Sequence, residues 1–268
     1  MEPIGILKDG QVYDLQTALA LNIQGVEIKA DDSKESLDIL RHSCAHMMAQ
    51  AIKELYPEAK FFVGPVVKEG FYYDFKVESK ISDEDLPTIE KKMKEIADRK
   101  LPITRHETTK EEFFEKFKND ELKQAVLKNI KDDTLTIYKQ GDFEDLCRGP
   151  HLPNTRMIRS FKLTRVAGAY LGGDEKNEMI TRIYGIAFFD KQALFDYSRM
   201  IEEAKKRDHR KLGTELELFT FNDDVGAGLP MWLPNGARLR SKLEHLLYKA
   251  HRVRGYEPVR GPEILKAE

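Results

Sequence analysis

The sequence is short of several things, and each shortage narrows what the protein can be. Among 268 residues there are two cysteines, Cys44 and Cys147. That is no disulfide-stapled secreted scaffold, and a reduced, cytoplasmic setting is expected. No run approaches the roughly 20 apolar residues of a membrane-spanning helix. The opening residues, from Met1 to Gly10, hold no long apolar segment of the signal-peptide kind. An excess of one charge is lacking too, since 44 Lys and Arg face 46 Asp and Glu. That balance does not advertise a nucleic-acid binder, although a local basic stripe is enough to hold phosphates. A clean β-α-β rhythm is also missing, so α+β is the expected fold class.

What is present fits one or two domains with an ample core, at 41 % hydrophobic and 34 % charged residues. Residues 1–34 read as a small β-rich lead-in, with a turn at Lys8-Asp9-Gly10. Asp31-Asp32-Ser33 offers helix-capping chemistry. Apolar residues at Leu37, Leu40, Cys44, Met47, Met48, Ile52 and Leu55 predict a helix over 36–55, ended near Pro57. Strand-like stretches follow at 61–63 and 70–75. Further helices are predicted over 83–99 and from Lys110 to about Lys131. Residues 135–189 read as short strands and turns. A charged helix is predicted over 191–212, with Gly213 as its C-cap. After a strand-like 216–221 and a turn-rich connector, one amphipathic helix covers 237–254. A strand is expected to start at Gly255. A stop at Glu268, so soon after a helix, suggests a piece of a longer chain.

Two elements carry chemistry. His42 and His46 are four residues apart on a predicted helix, which puts both imidazoles on one face. Two histidines satisfied by neighbours on a half-buried helix would look the same. Cys147-Arg148-Gly149-Pro150-His151 adds a thiol and an imidazole on a turn. Together the four side chains are a plausible zinc set, or equally a polar cluster that positions water for attack on an ester. Taken alone, Tyr73 reads as core or rim, Lys123 as a solvated face and Asp145 as a turn former. The run Lys205 to Lys211 reads either as a solvated helix face or as a phosphate-contacting surface.

The residues themselves resemble a known family. Leu40-Arg41-His42-Ser43-Cys44-Ala45-His46 is similar to the opening helix of the editing domain of bacterial-type threonyl-tRNA synthetases. Gly64-Pro65, Gly70-Phe71-Tyr72-Tyr73-Asp74 and Asp145-Leu146-Cys147-Arg148-Gly149-Pro150-His151 continue the match. So do Gly168-Ala169-Tyr170, Gly173-Asp174 and Arg182-Ile183-Tyr184-Gly185. Arg207 to Gly213 resembles the end of a linker helix, and Arg254 to Pro262 resembles motif 1 of class II synthetases.

The resemblance implies four parts: a reduced lead-in at 1–34, where the family has a ubiquitin-like domain; an editing domain at 35–190, an antiparallel sheet with packed helices; a linker helix at 191–213; and the start of a class II catalytic domain at 214–268. It implies hydrolysis of mischarged seryl-tRNA(Thr). His42 would position or activate water, and Lys123 would stabilise charge near the ester. His46, Cys147 and His151 would shape the pocket, while Tyr73 and Asp145 would hold the amino acid or terminal adenosine. The related alanyl-type editing domains bind zinc with a similar quartet, whereas the threonyl type is expected to work without metal. ATP, magnesium and a threonine-holding zinc ion belong to parts of the family beyond Glu268, so charging of tRNA is not expected of this chain. The implied partners are tRNA(Thr) and, in the full-length enzyme, a second copy, with no membrane. The alternatives are a zinc-dependent alanyl-type hydrolase and a non-catalytic tRNA-binding or dimerisation module.

Overall fold

The computed structural model describes residues 2–261 other than 129, 131, 223 and 227. The chain divides into two compact units, Met1–Tyr197 and Ser198–Glu268. Among the described residues no helix is long and apolar enough to cross a membrane.

The first unit opens with strands β1 (Pro3–Lys8) and β2 (Gln11–Asp14), helix α1 (Leu15–Ala20) and strand β3 (Val26–Lys29). The strands form one antiparallel sheet in the order β2-β1-β3. Asp14 ends β2 and caps α1, its carboxylate accepting from the Thr17 N–H at 2.7 Å. Helix α2 (Lys34–Leu55) follows. Ser33 stands at its N-cap but makes no side-chain cap bond. Instead Ser36 Oγ donates to Lys29 O at 2.8 Å, tying the first turn to β3.

Helix α2 is the centre of the core. Its apolar residues are not confined to one stripe, and Ile39, Leu40, Cys44, Met47, Met48 and Ile52 are all buried. A helix that is apolar on most of its surface must be covered on most of its surface. The cover comes from strands β4 (Lys60–Phe61), β5 (Val66–Val67) and β6 (Gly70–Lys76), helix α3 (Leu86–Asp98), and the later strands β10 (Ser160–Tyr170) and β11 (Met179–Phe188). These strands make an antiparallel sheet, β10-β11-β6-β4, with β5 paired to β6. At 11 and 10 residues, β10 and β11 are long, not the short strands that the glycine-rich pattern predicts. Their pairing runs unbroken from Ser160–Phe188 to Tyr170–Met179 apart from one bulge.

A third sheet, β7 (Ile103–Thr109), β8 (Thr134–Gln140) and β9 (Phe143–Leu146), carries helices α4 (Lys110–Lys116) and α5 (Glu121–Lys128) over a small core of Phe113, Leu127, Leu135 and Ile137. The single helix predicted from Lys110 to Lys131 is therefore two, and its expected end at Lys131 lies outside the described residues. Asp120 makes the break. Its carboxylate accepts from the Leu122 and Lys123 N–H groups, both at 3.1 Å, and starts a new helix there.

Helix α6 (Lys191–Lys206) contains the division between the units, and α7 (His209–Glu215), β12 (Phe219–Phe221), β13 (Pro230–Trp232) and α8 (Pro234–Val253) follow. The one linker helix of the sequence reading is again two, because Asp208 caps α7 by accepting from the Arg210 N–H at 2.8 Å. Gly213 is not the C-cap. It lies inside α7, where a Cβ would come within 2.5 Å of the Phe219 ring. The left-handed residue that ends α7 is Glu217 (φ 51°), with Leu218 N–H donating to Gly213 O and Glu217 N–H to Thr214 O. Nor does a strand start at Gly255. That residue is the left-handed cap of α8, and residues 256–261 pair with no strand among the described residues. Pro262 lies outside the described residues. In the basic run, Lys206, Arg207, Arg210 and Lys211 each pair with a nearby carboxylate, as an ordinary solvated helix face does.

The architecture is α+β, with helices packed on antiparallel sheets.

Candidate active site

The i, i+4 spacing on α2 sets His42 and His46 on one face, toward the loop that leaves β9. That loop turns at Gly149 (φ 72°), in a backbone region that favours glycine. A Cβ there would come within 2.5 Å of the Tyr138 hydroxyl and 2.8 Å of the Asp14 carboxylate. The turn brings Cys147 and His151 over α2. The four ligand atoms of His42, His46, Cys147 and His151 all lie within 4.8 Å of one another. The His42 and His151 rings are 4.2 Å apart and those of His46 and His151 4.3 Å.

Hydrogen bonds fix the tautomer of His151. Ser43 Oγ spends its proton on Ile39 O at 2.9 Å and accepts from Leu152 N–H at 2.8 Å. Its remaining contact, 3.2 Å to His151 Nδ1, must then be one in which the ring N–H donates. That leaves His151 Nε2 as an acceptor, 2.9 Å from Cys147 Sγ. Burial pushes the Cys147 thiol well above its ordinary range, so the S–H donates to Nε2.

Asp14 holds the loop from behind, accepting from the Tyr138 hydroxyl at 2.5 Å and from His151 N–H at 3.2 Å. On the other side of His46 lies a buried chain of polar groups. The Tyr73 hydroxyl donates to Asp145, whose other oxygen accepts from Lys123 Nζ and from Leu146 N–H.

Burial sets the electrostatics. It pulls the His42 imidazole down to about 4. It holds His46 and His151 well below their ordinary value, and the neighbouring imidazoles oppose a second positive charge. All three rings are neutral near pH 7. Burial also pulls Lys123 below its ordinary value and pushes Asp145 above its own, each against the partner that it bonds.

All seven residues singled out in the sequence fall in one contiguous region, though not in one cavity. His42 is half-buried and lines an opening of about 800 Å³, with Arg41, Val66, Lys68, Gly149 and Pro150. Lys123 is buried rather than on a solvated face, and with Asp145 it lines a different cavity of about 520 Å³ beside Gln50, Glu54, Arg99 and Phe143. Both Asp145 oxygens are engaged by protein groups, so here it holds Tyr73 and Lys123. Sequence reasoning did not single out Ser43, Asp14 or Tyr138. A signal existed for Ser43, a small hydroxyl between the two histidines. Asp14 stands 137 residues from the loop it holds, and nothing local marks it.

The donor set also fits a zinc ion. Bonds of about 2.0–2.1 Å to nitrogen and 2.3 Å to sulfur would set tetrahedral donors roughly 3.3–3.7 Å apart. The four atoms here are within 4.8 Å, and Ser43 already orients one imidazole through its second nitrogen.

Known proteins are similar to this chain over most or all of its length. Residues 135–184 match the family described as "Threonyl and Alanyl tRNA synthetase second additional domain". A threonine–tRNA ligase of Campylobacter jejuni is 67 % identical over 267 residues, which is 100 % of this chain and 44 % of the relative. That of Campylobacter lari is 72 % identical over 238 residues, covering 89 % of this chain and 40 % of the relative. That of Helicobacter hepaticus is 65 % identical over 267 residues, again 100 % of this chain and 44 % of the relative. The chain thus spans less than half the length of these relatives. On this likeness the chain belongs to the threonine–tRNA ligase family, as a segment that carries the second additional domain shared with alanyl-tRNA synthetases.

Proposed function

We propose that this segment hydrolyses serine wrongly esterified to tRNA(Thr), within an enzyme that attaches threonine to the same tRNA in the cytoplasm. Serine lacks one methyl of threonine, and a single methyl is worth only about 1–3 kcal/mol, or 10- to 200-fold, of discrimination. A second site that removes the smaller amino acid supplies the rest. ATP, magnesium and a threonine-holding zinc ion belong to the proposed activity of the whole enzyme, as does pairing with a second copy.

One observation carries the reading. A neutral imidazole, His42, faces a nucleotide-sized opening while three further polar side chains back it. With a conjugate acid near pH 4, His42 accepts a hydrogen bond from water but holds a proton weakly. It therefore orients the attacking water more than it removes its proton. The water oxygen bonds to the ester carbonyl carbon, the carbon–oxygen bond to the ribose breaks, and the ribose oxygen takes the proton. Products are serine and tRNA with a free terminal hydroxyl. Lys123 is buried against Asp145, and its charge bears on His46 and Cys147. We assign it to stabilising negative charge at the carbonyl oxygen as the acceptor end binds. Tyr73 and Asp145 keep it in place.

The test is deacylation of seryl-tRNA(Thr) and threonyl-tRNA(Thr) by the purified chain. The serine ester should be cleaved much faster, and equal rates on both esters would sink the sieve. The Ser43-oriented His151 favours a second reading, in which His42, His46, Cys147 and His151 hold zinc. Zinc bound there would supply Lewis-acid polarisation of water or of the ester carbonyl. Stoichiometric zinc in the purified chain, and activity lost on chelation, would favour that reading.

A further inference from the structure

The residue before His42 has a role that the hydrolytic reading leaves unused. Arg41 is 5 % exposed. Its guanidinium makes one hydrogen bond, from Nη1 to Lys68 O at 3.1 Å, and lies 5.5 Å from the centre of the Phe188 ring. Its Nε has no partner. Among the described residues no carboxylate lies within ion-pair distance of it. Asp38 and Glu69 share the cavity wall but do not reach it, and Lys34 and Lys68 stand beside them.

Arginine does not shed its proton in proteins. A buried charge without a partner is costly, and native structures keep one where something else neutralises it. Here Asp32, Asp38 and Glu69 act on the Arg41 charge only from a distance. The cation, with no direct ion pair and its Nε unpartnered, lines the same opening as His42, one residue along the helix. An aminoacyl nucleotide that presents its ester to His42 brings an anion into that opening. We infer that Arg41 binds phosphate, holding the phosphodiester on the 5′ side of the terminal nucleoside whose ester faces His42. The planar fork of the guanidinium suits two phosphate oxygens. The inference rests on the proposed editing reaction for the identity of the strand.

Binding separates the two. Adenosine and its 5′-methyl phosphodiester differ only in the charged group, and neither carries an ester to hydrolyse. Titration calorimetry of the whole chain should find the phosphodiester bound about ten- to a hundredfold more tightly, the worth of a hydrogen bond to a charged partner. In Arg41→Met and Arg41→Lys, with circular dichroism checked, most of that advantage should vanish, more completely in the methionine variant. Equal binding of the two ligands by the unaltered chain overturns the inference, as does no binding of either. A full phosphate advantage kept in a folded Arg41 variant overturns it too. The first comparison can refute the inference without a variant. Because Lys34 and Lys68 share the wall, Arg41→Lys, which keeps bulk and charge but not the planar fork, assigns the advantage to Arg41 if the methionine variant fails to fold. A phosphate advantage in a chain that cleaves no seryl-tRNA would keep the phosphate site and dispose of the hydrolytic reading.

Discussion

Replacing Ser43 with alanine should destabilise the first unit and slow the reaction together. The Ser43 hydroxyl is fully buried and accepts two hydrogen bonds, from Leu152 N–H and His151 Nδ1–H. Without it both donors are left unpaired in a dry interior, at about 1–3 kcal/mol each. Against this, alanine favours a helix interior over serine by roughly 0.5 kcal/mol. Ile39 O loses only its second partner, since the helix ladder still uses it. The expected net loss is about 2–5 kcal/mol, a large fraction of the roughly 5–15 kcal/mol that holds a domain folded. Urea unfolding followed by far-UV circular dichroism measures it, as a lower midpoint with an unchanged slope. Tryptophan fluorescence would miss it, because the single tryptophan, Trp232, belongs to the second unit. Seryl-tRNA deacylation should fall in the same variant, since His151 is no longer fixed in one tautomer. A loss below about 0.5 kcal/mol would refute the hydrogen-bond assignment from which the tautomer was derived.

His42→Ala should lower seryl-tRNA deacylation by about 100- to 10,000-fold with circular dichroism unchanged; a wild-type rate would remove His42 from the chemistry. Gly149→Ala must place a Cβ against Tyr138 and Asp14 in a left-handed backbone, and should cost about 1–3 kcal/mol of stability in the same urea assay. For pH, His42 is lowered from 6.5 to about 4 in the folded state, so the unfolded chain binds its proton first on acidification. Stability from this group is full above pH 6.5 and drains away as the pH falls toward 4. At roughly 1.4 kcal/mol per pH unit the loss amounts to about 3 kcal/mol. His46 and His151 act in the same direction. Urea midpoints that stay level between pH 7 and pH 4.5 would contradict the neutral-imidazole cluster.

How far the sequence could be read depended on the range of the interaction concerned. Helix α2 announced itself by spacing, and the histidine pair on it followed from four-residue periodicity. The Cys147–His151 turn was visible through Gly149 and Pro150. Helix breaks at Asp120 and Asp208 were missed because either aspartate can sit inside a charged helix; only its choice of backbone N–H shows that it caps. Gly213 was misread as punctuation when its lack of a side chain serves the Phe219 ring. Among the described residues the strand expected at Gly255 has no partner, and an extended segment gains ladder hydrogen bonds only from a neighbour. The two cavities, and the partner of each Asp145 oxygen, depend on elements far apart in the chain and left no local trace. The proposed assignment of Lys123 to the reaction came from family resemblance alone, and spacing alone would have put it in solvent.

The all-round apolar character of α2 also has a consequence for how the chain is made. Ser43 and its partner His151 are 108 positions apart. At roughly 5–20 residues per second of synthesis, the helix waits some 5–20 seconds for the loop that completes the site. Strand β11, which covers much of the same helix, emerges later still. Through that interval Ile39, Met47, Met48 and Ile52 have only β4, β5, β6 and α3 to cover them, and the side of the helix that β11 will close stays open. The nascent chain should therefore be a strong client for holding chaperones until about residue 188 has left the ribosome, and sites that slow translation just upstream of β10 would lengthen its exposure.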